Sequence, residues 1–370
     1  MEKIRLGIIG LGNMGGAHFN NVSVGKCPSV EVTAVCDIDE TKFKKVEDHP
    51  EVARFTDVDA LLASGLIDAA LIAVPHYDHP TIAIKCFEGG IHVLTEKPAG
   101  VYARQVRLMN EAAAKSQVKF GIMFNQRTNP LYARAREIVS GGELGELKRF
   151  VWIITNWYRT QAYYDSGTWR ATWRGEGGGV LLNQAPHNLD LWQWIFGMPK
   201  RVRAFCDFGK YHNIDVEDDV TIFGEYESGA TATFISTTGD ACGTNRLEIN
   251  GDKGKIVIED GKLKWWKLKI PEREMCFNSK EGFPTPEFTY EELEAPVPQG
   301  HPEVLEAFAQ SILHGTEMVA RGEEGLNSLS ISNAAYLSAW CGDWADIPTD
   351  EELFEKHLEE CCKKETRVKK

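Results

Sequence analysis

No stretch of this chain approaches the ~18 uninterrupted apolar residues of a membrane helix, so nothing in it reads as a span. A CxxC pair is missing too. The nine cysteines sit at unrelated spacings, and an odd number suits reduced thiols better than a disulfide framework. Clustered basic residues are scarce: Lys+Arg 41 against Asp+Glu 54 leaves a net charge of −13, which argues against a nucleic-acid or anionic-membrane surface, because phosphate contacts need concentrated positive charge. The one basic run, Lys363-Lys364 to Lys369-Lys370, reads as a solvated end. Met1-Glu2-Lys3-Ile4-Arg5 enters an apolar stretch without a signal-peptide core, so a cytoplasmic location is expected. There is no internal repeat and no low-complexity segment, which excludes a solenoid. No residue spacing suggests a metal site, and none is expected.

What is present is an ordinary globular composition, 43% hydrophobic and 26% charged over 370 residues, long enough for two domains. Up to about residue 125, short apolar runs alternate with helical patterns. Ile4 to Ile9, Val30 to Cys36, Asp68 to Val74, His92 to Thr95 and Lys119 to Phe124 read as strands; Ala103 to Lys115 reads as a helix. This βαβ rhythm predicts an α/β Rossmann domain over 1–125, with a parallel sheet and its ligand at the carboxyl ends of the strands. From 126 to 370 the runs are longer, alternate apolar with polar, and are linked by glycine turns such as Ser228-Gly229. They predict an α+β domain with a large, open, mostly antiparallel sheet that serves substrate binding and oligomerisation. Met275 to Pro298, rich in proline, reads as irregular connection. Thr349 with Glu352 reads as the capping box of a last helix.

The sharpest motif is Gly10-Leu11-Gly12-Asn13-Met14-Gly15, placed between a strand and a helix. Gly10 suits the tight turn, Gly12 the approach of backbone to a pyrophosphate and Gly15 close packing, while the helix N-terminus faces the negative charge. Asp37 ends the next strand, somewhat farther from Gly10 than the ~20 residues usual for the ribose carboxylate. A carboxylate there accepts the 2′-hydroxyl and repels a 2′-phosphate, so NAD is expected rather than NADP; Lys42, Lys44 and Lys45 are the dissenting feature. Glu96-Lys97-Pro98 follows another strand, where an ammonium can touch substrate oxygen; Lys-Pro is also an ordinary strand exit. Gly177-Gly178-Gly179 leads into a helical pattern with Asn183 and His187 four apart, expected on one helical face. Histidine can take a hydroxyl proton near neutral pH, although a lone histidine is more often structural.

Together the glycine loop, Glu96-Lys97-Pro98 and the Gly177-to-Asp190 string resemble the Gfo/Idh/MocA family of NAD(P)-dependent oxidoreductases over nearly the whole chain. The resemblance implies that Lys97 contacts the reacting hydroxyl, that Glu96 is its cofactor-side neighbour, that a cis peptide precedes Pro98, and that His187 is catalytic. Asn183 falls where many members carry aspartate, and an amide there can only hydrogen-bond. Val74, Pro75, His76 and His79 fall on the loop that lines the nicotinamide side in that family; for the two histidines a plain loop role is equally open.

An aromatic and arginine-rich stretch, Trp157, Tyr158, Arg159, Tyr163, Tyr164, Trp169, Arg170, Trp173 and Arg174, stands out against 10% aromatic residues overall. It reads either as a wall for sugar rings, with Asn125, Gln126 and Arg127 binding hydroxyls, or as a core edge or oligomer interface. The family's substrates imply a sugar, glycoside or cyclic polyol, and the string around His187 is similar to dehydrogenases that oxidise the 3-hydroxyl of glucosides. Two alternatives use the same parts: an NAD-dependent glycosidase acting by transient C3 oxidation, and a non-catalytic NAD(H)-binding regulator. A homodimer or homotetramer is expected from the open sheet.

Overall fold

The computed structural model describes residues 2–366; Lys369 and Lys370 of the basic run lie outside them. The chain forms two compact units. The first comprises residues up to Thr128 with Arg174–Gly177 and Gln299–Leu329. Its strands are β1 (Ile4–Ile9), β2 (Val30–Cys36), β3 (Ala53–Phe55), β4 (Ala69–Ile72), β5 (His92–Thr95) and β6 (Phe120–Ile122). They form one sheet in the order β3-β2-β1-β4-β5-β6, parallel throughout. β1, β4, β5 and β6 are apolar and almost wholly buried, as helix-covered parallel sheets require, whereas the edge strand β3 is not. Parallel pairing also sets the residues that follow β1, β2, β4 and β5 on one rim, and that rim carries every motif of this unit.

The helix His301–His314 was expected with residues 126–370. Instead its apolar stripe, Val304, Leu305, Phe308 and Ala309, packs in one core with Ile4, Leu6, Ile8 and Leu94 of the parallel sheet. A 3.6-residue periodicity tells which face of a helix is buried and not which sheet it covers.

The second unit holds β7 (Leu147–Ile154), β8 (Arg201–Phe208), β9 (Glu217–Glu225), β10 (Thr231–Thr237), β11 (Asn245–Gly251), β12 (Gly254–Glu259), β13 (Lys262–Leu268), β14 (Phe288–Glu294) and β15 (Ala345–Asp346). The order is β14-β13-β12-β11-β7-β10-β9-β8-β15. All pairs are antiparallel except β7 with β10. Buried residues alternate with more accessible ones along β9, most of β10 and the first half of β8, the signature of a sheet covered on one face. On the covered face Phe150 and Phe234 stack on Trp192, with centroids 5.5 and 5.8 Å away. On the open face Phe205 is 64% and Phe223 38% exposed.

Two local expectations fail here. The stretch read as irregular holds the end of a helix, Glu272–Asn278, and the edge strand β14. Every residue of β14 is exposed, so it shows no alternation; its ladder with β13 and the pairs of Lys262 with Glu292 and Glu294, at 2.9 and 2.6 Å, hold it. The last helix is capped by Asp350, which accepts from the Leu353 N–H at 3.0 Å, and not by Thr349. Among the described residues no helix is long and apolar enough to cross a membrane.

Candidate functional site

The first unit presents its chemistry at the ends of β1, β2, β4 and β5. The helix Asn13–Ser23 begins at Gly12 with no side-chain cap and no acidic residue in its first turn. Its leading N–H groups are thus left to an anion. A Cβ at Gly12 would meet nothing within 4 Å, whereas one at Gly15 would sit 1.8 Å from the Gly10 carbonyl oxygen. Gly12 therefore leaves room for a pyrophosphate, and Gly15 lets the helix start against the turn. Asn13 and Met14 stand exposed at the rim. Asp37 accepts the Leu11 N–H at 2.7 Å on one oxygen and the Asp39 N–H at 2.9 Å on the other. Each oxygen keeps a second acceptor direction for a ribose hydroxyl. Two of the three lysines that would have suited a 2′-phosphate have other partners: Lys45 donates to the Gly12 carbonyl, and Lys42 pairs with Asp39 at 3.4 Å. These residues fit a nicotinamide dinucleotide.

At the end of β5 the Lys97–Pro98 peptide is cis. Glu96 is buried, 5% exposed, and does not face the rim as a cofactor neighbour would. One of its oxygens lies 2.7 Å from His18 Nε2 and the other accepts the Lys97 N–H at 3.2 Å. Burial opposes the charge on Glu96, but the His18 hydrogen bond and the nearby positive charges outweigh it and hold the carboxyl down to about 2. His79 is likewise a brace: Nδ1 lies 2.8 Å from the Pro98 carbonyl and Nε2 2.8 Å from that of Val74, between the end of β4 and the Lys97 turn; burial pushes its pKa down, and the neutral ring donates to one of the two carbonyls at a time. With both ring nitrogens on backbone, His79 has none left for a cofactor. His76 is buried with Nδ1 2.9 Å from the Glu176 carbonyl, Val74 is half-buried and Pro75 is exposed.

Asn125 and Gln126 are half-buried. The Asn125 amide nitrogen lies 3.4 Å from His301 Nδ1, while its buried oxygen has no hydrogen-bond partner among the described residues. Arg127 departs from the expected hydroxyl-binding role. Its buried guanidinium pairs with Glu324 at 2.7 Å and lies 5.3 Å from the Phe124 ring, which makes it an internal strut.

In the second unit Asn183 and His187 do not share a helical face. The helix begins only at Pro186, because proline has no N–H to continue a preceding turn but suits the first helical position. Asn183 lies in the turn before it, its N–H on the Gly179 carbonyl at 2.9 Å, and His187 is buried in the helix's first turn. Glu217 holds that turn. Its buried carboxylate accepts the N–H groups of Gly179 and Leu181 at 2.9 and 2.8 Å and the Tyr336 hydroxyl at 2.8 Å. A Cβ on Gly179 would lie 1.9 Å from the Glu217 carbonyl oxygen, so the turn needs glycine there. Burial raises the Glu217 pKa to about 7.

The aromatic stretch divides. Tyr164 is buried with its hydroxyl 2.8 Å from Thr238 Oγ1, and Trp173 packs on Tyr336 and Trp340 with Nε1 donating to the Asp215 carbonyl at 2.8 Å. Both are core anchors and not a substrate wall. Trp157, Trp169 and Tyr163 stay half-buried and Tyr158 exposed. Arg170 lies 4.7 Å from both the Tyr163 and Trp169 rings and donates to the Tyr163 hydroxyl at 2.9 Å. That hydroxyl donates to Asn183 Oδ1 at 3.4 Å, and the Gln184 amide donates to both, at 3.3 and 3.2 Å. Trp157 Nε1 donates to Asn188 Oδ1 at 3.3 Å. The buried Gln184 Oε1 and Asn188 Nδ2 have no hydrogen-bond partner among the described residues, leaving an acceptor and a donor beside the rings.

Sequence reasoning did not place His18, His301, Glu217, Gln184 or Asn188 in the site. For His18 the available signal was its place one helical turn beyond Gly15, on the face packed against the sheet; for Gln184 and Asn188 it was their place in the Gly177-to-Asp190 string. Among the described residues no group of three or more His, Cys, Asp or Glu is arranged to hold a metal ion.

Residues 4–124 match the oxidoreductase family with an NAD-binding Rossmann fold, and residues 132–257 match the GFO/IDH/MocA C-terminal domain. The chain belongs to the Gfo/Idh/MocA family. It is an NAD-dependent oxidoreductase of the family's sugar and polyol dehydrogenases. The Gfo/Idh/MocA relatives include myo-inositol 2-dehydrogenase of Thermotoga maritima, 24% identical over 90% of this chain and 96% of that protein. Levoglucosan dehydrogenase of Pseudarthrobacter phenanthrenivorans is 25% identical over 94% of this chain and 99% of that one. Among solved structures, the WlbA dehydrogenase of Bordetella pertussis in complex with NADH and UDP-GlcNAcA superposes with a TM-score of 0.79 at 25% identity, covering 94% of this chain and 100% of that one.

Proposed function

We propose that the protein oxidises a secondary hydroxyl of a sugar, glycoside or cyclic polyol to a keto-sugar, with C3 of a glucoside as the specific target. The observation that carries this reading is the cluster of Tyr163, Arg170, Asn183 and Gln184. Flat rings suit the apolar face of a pyranose, and amide and guanidinium groups suit its hydroxyls. The relatives named for myo-inositol and levoglucosan support the same substrate class.

Bound at the glycine loop, NAD+ supplies a nicotinamide C4 that accepts hydride. The chain's own part is to orient the sugar and remove the hydroxyl proton, and we assign that removal to Lys97 and His187. An imidazole titrates near neutral pH, and a lysine in its neutral amine form, on a flexible stem, can follow the oxygen and take the proton as charge develops there. Asn183, an uncharged amide, holds a hydroxyl and takes no proton. Val74, Pro75 and His76 are assigned to the cofactor side, and Trp157, Tyr158 and Trp169 to the sugar. The exposed Phe205 and Phe223 support a homodimer or homotetramer through the open sheet.

The test is the absorbance spectrum of the purified protein for retained NADH, followed by the 340 nm signal with NAD+ and a panel of myo-inositol, levoglucosan, free hexoses and aryl glucosides. A substrate-dependent rise, lost in Lys97→Ala and His187→Ala, is expected. Aglycone release without net NADH would replace this reading with a glycosidase. No turnover, with unchanged NADH binding in both variants, would replace it with a regulator.

A further inference from the structure

Behind Lys97 lies a buried chain of titratable groups that takes no part in the proton removal assigned to Lys97 and His187. His18, on the helix Asn13–Ser23, and Glu96 are 1% and 5% exposed and lie 2.7 Å apart. His301, at the start of its own helix, sets its ring edge-on to His18 with centroids 5.5 Å apart. Burying a carboxylate this deeply is costly unless it is paired and hydrogen-bonded. Here both oxygens are used, one by the imidazole and one by the Lys97 N–H. Glu96 thus touches Lys97 twice, once through its backbone and once through the field on its ammonium. The charged and titratable groups facing Glu96 are His18, Lys97 itself, His301 and, across the Lys97 turn, His79.

We propose that His18 and Glu96 are positioning residues for Lys97, a buried pair that fixes its backbone and holds a negative charge behind its ammonium, so that the pH at which Lys97 releases its proton is set from inside the nucleotide-binding unit. This rests on the reading of Lys97 as a proton-transfer group. His18 is the member that no motif names. At 1% exposed it lies beneath the surface, and it acts through the carboxylate it holds. A negative charge near an amine favours the protonated form, so removing it lowers the amine's titration point.

The experiment reads the Lys97 amine directly, without any sugar: competitive labelling with acetic anhydride across pH, quantified by peptide mass spectrometry, on wild type, Glu96→Gln, His18→Gln and His18→Leu. NADH binding and thermal unfolding are measured beside it, and activity is measured on the panel substrate oxidised fastest. Lys97 in Glu96→Gln is expected to titrate about one pH unit below wild type, the scale of one charge at several ångströms in a partly screened site. The low-pH limb of activity should move with it. His18→Leu is expected to lose about tenfold in kcat, and His18→Gln, whose amide can still donate to Glu96, to recover to within about threefold of wild type. An unmoved Lys97 titration in folded Glu96→Gln, or His18→Gln no better than His18→Leu, overturns the proposal. If Glu96→Gln does not fold, the two His18 variants decide alone. Full activity in Lys97→Ala would instead remove the reading of Lys97 on which the proposal stands.

Discussion

The Glu217 carboxylate accepts the Tyr336 hydroxyl at 2.8 Å in the interior of the second unit, with neither side chain exposed. Through the N–H groups of Gly179 and Leu181 the same carboxylate fixes the turn that leads to Asn183 and His187. Burial raises its pKa from the ordinary carboxyl range to about 7. A group whose folded value lies above its unfolded value of ~4.3 adds stability in full below that lower value and loses it as pH rises through the higher one. The stability advantage of wild type over Glu217→Gln should therefore shrink between pH 5 and pH 8, by on the order of 3 °C in unfolding midpoint. Scanning calorimetry at both pH values checks this, and an advantage that grows with pH would contradict it.

Asp37 combines a structural and a recognition role, and a conservative change separates them. Asp37→Asn keeps an oxygen for the Leu11 N–H while removing the charge that repels a 2′-phosphate. The ratio of kcat/KM for NAD+ to that for NADP+ should fall about tenfold, an energy of ~1.4 kcal/mol. Steady-state kinetics with both cofactors read it; an unchanged ratio would place the ribose elsewhere.

Arg170 is held between two rings and touches the Tyr163 hydroxyl. Arg170→Ala should raise the sugar KM about tenfold, because a guanidinium hydrogen bond and its stacking are lost together. NADH binding should be unaltered. A variant that loses NADH affinity and keeps its KM would assign Arg170 to the cofactor.

For Arg127 the prediction concerns folding and not substrate. Its guanidinium is buried and its partner Glu324 is about one-third exposed, so Arg127→Leu should cost about 2 kcal/mol, less than for a fully buried pair. Urea unfolding measures the loss. A raised sugar KM at wild-type stability would restore the hydroxyl-binding role that the sequence suggested.

Local chemistry decided much by itself. Gly10, Gly12 and Gly15 between a strand and a helix, with Asp37 closing the next strand, mark a dinucleotide loop, because strand, turn and helix start are all set within a few residues. The rhythm of short apolar runs and helical patterns likewise pointed to the parallel sheet, and alternating apolar residues to the antiparallel one. Only the tertiary structure decided the rest. Residues distant in sequence compete for the same partners: Arg127 reaches Glu324, His79 bridges Val74 and Pro98, and Glu96 turns inward to His18. Tyr164 and Trp173 look like Trp157 and Trp169 in sequence, yet the first two are buried and the second two stand at the edge. Composition places such residues together; the packing of the second unit chooses which become core and which remain available to a ligand.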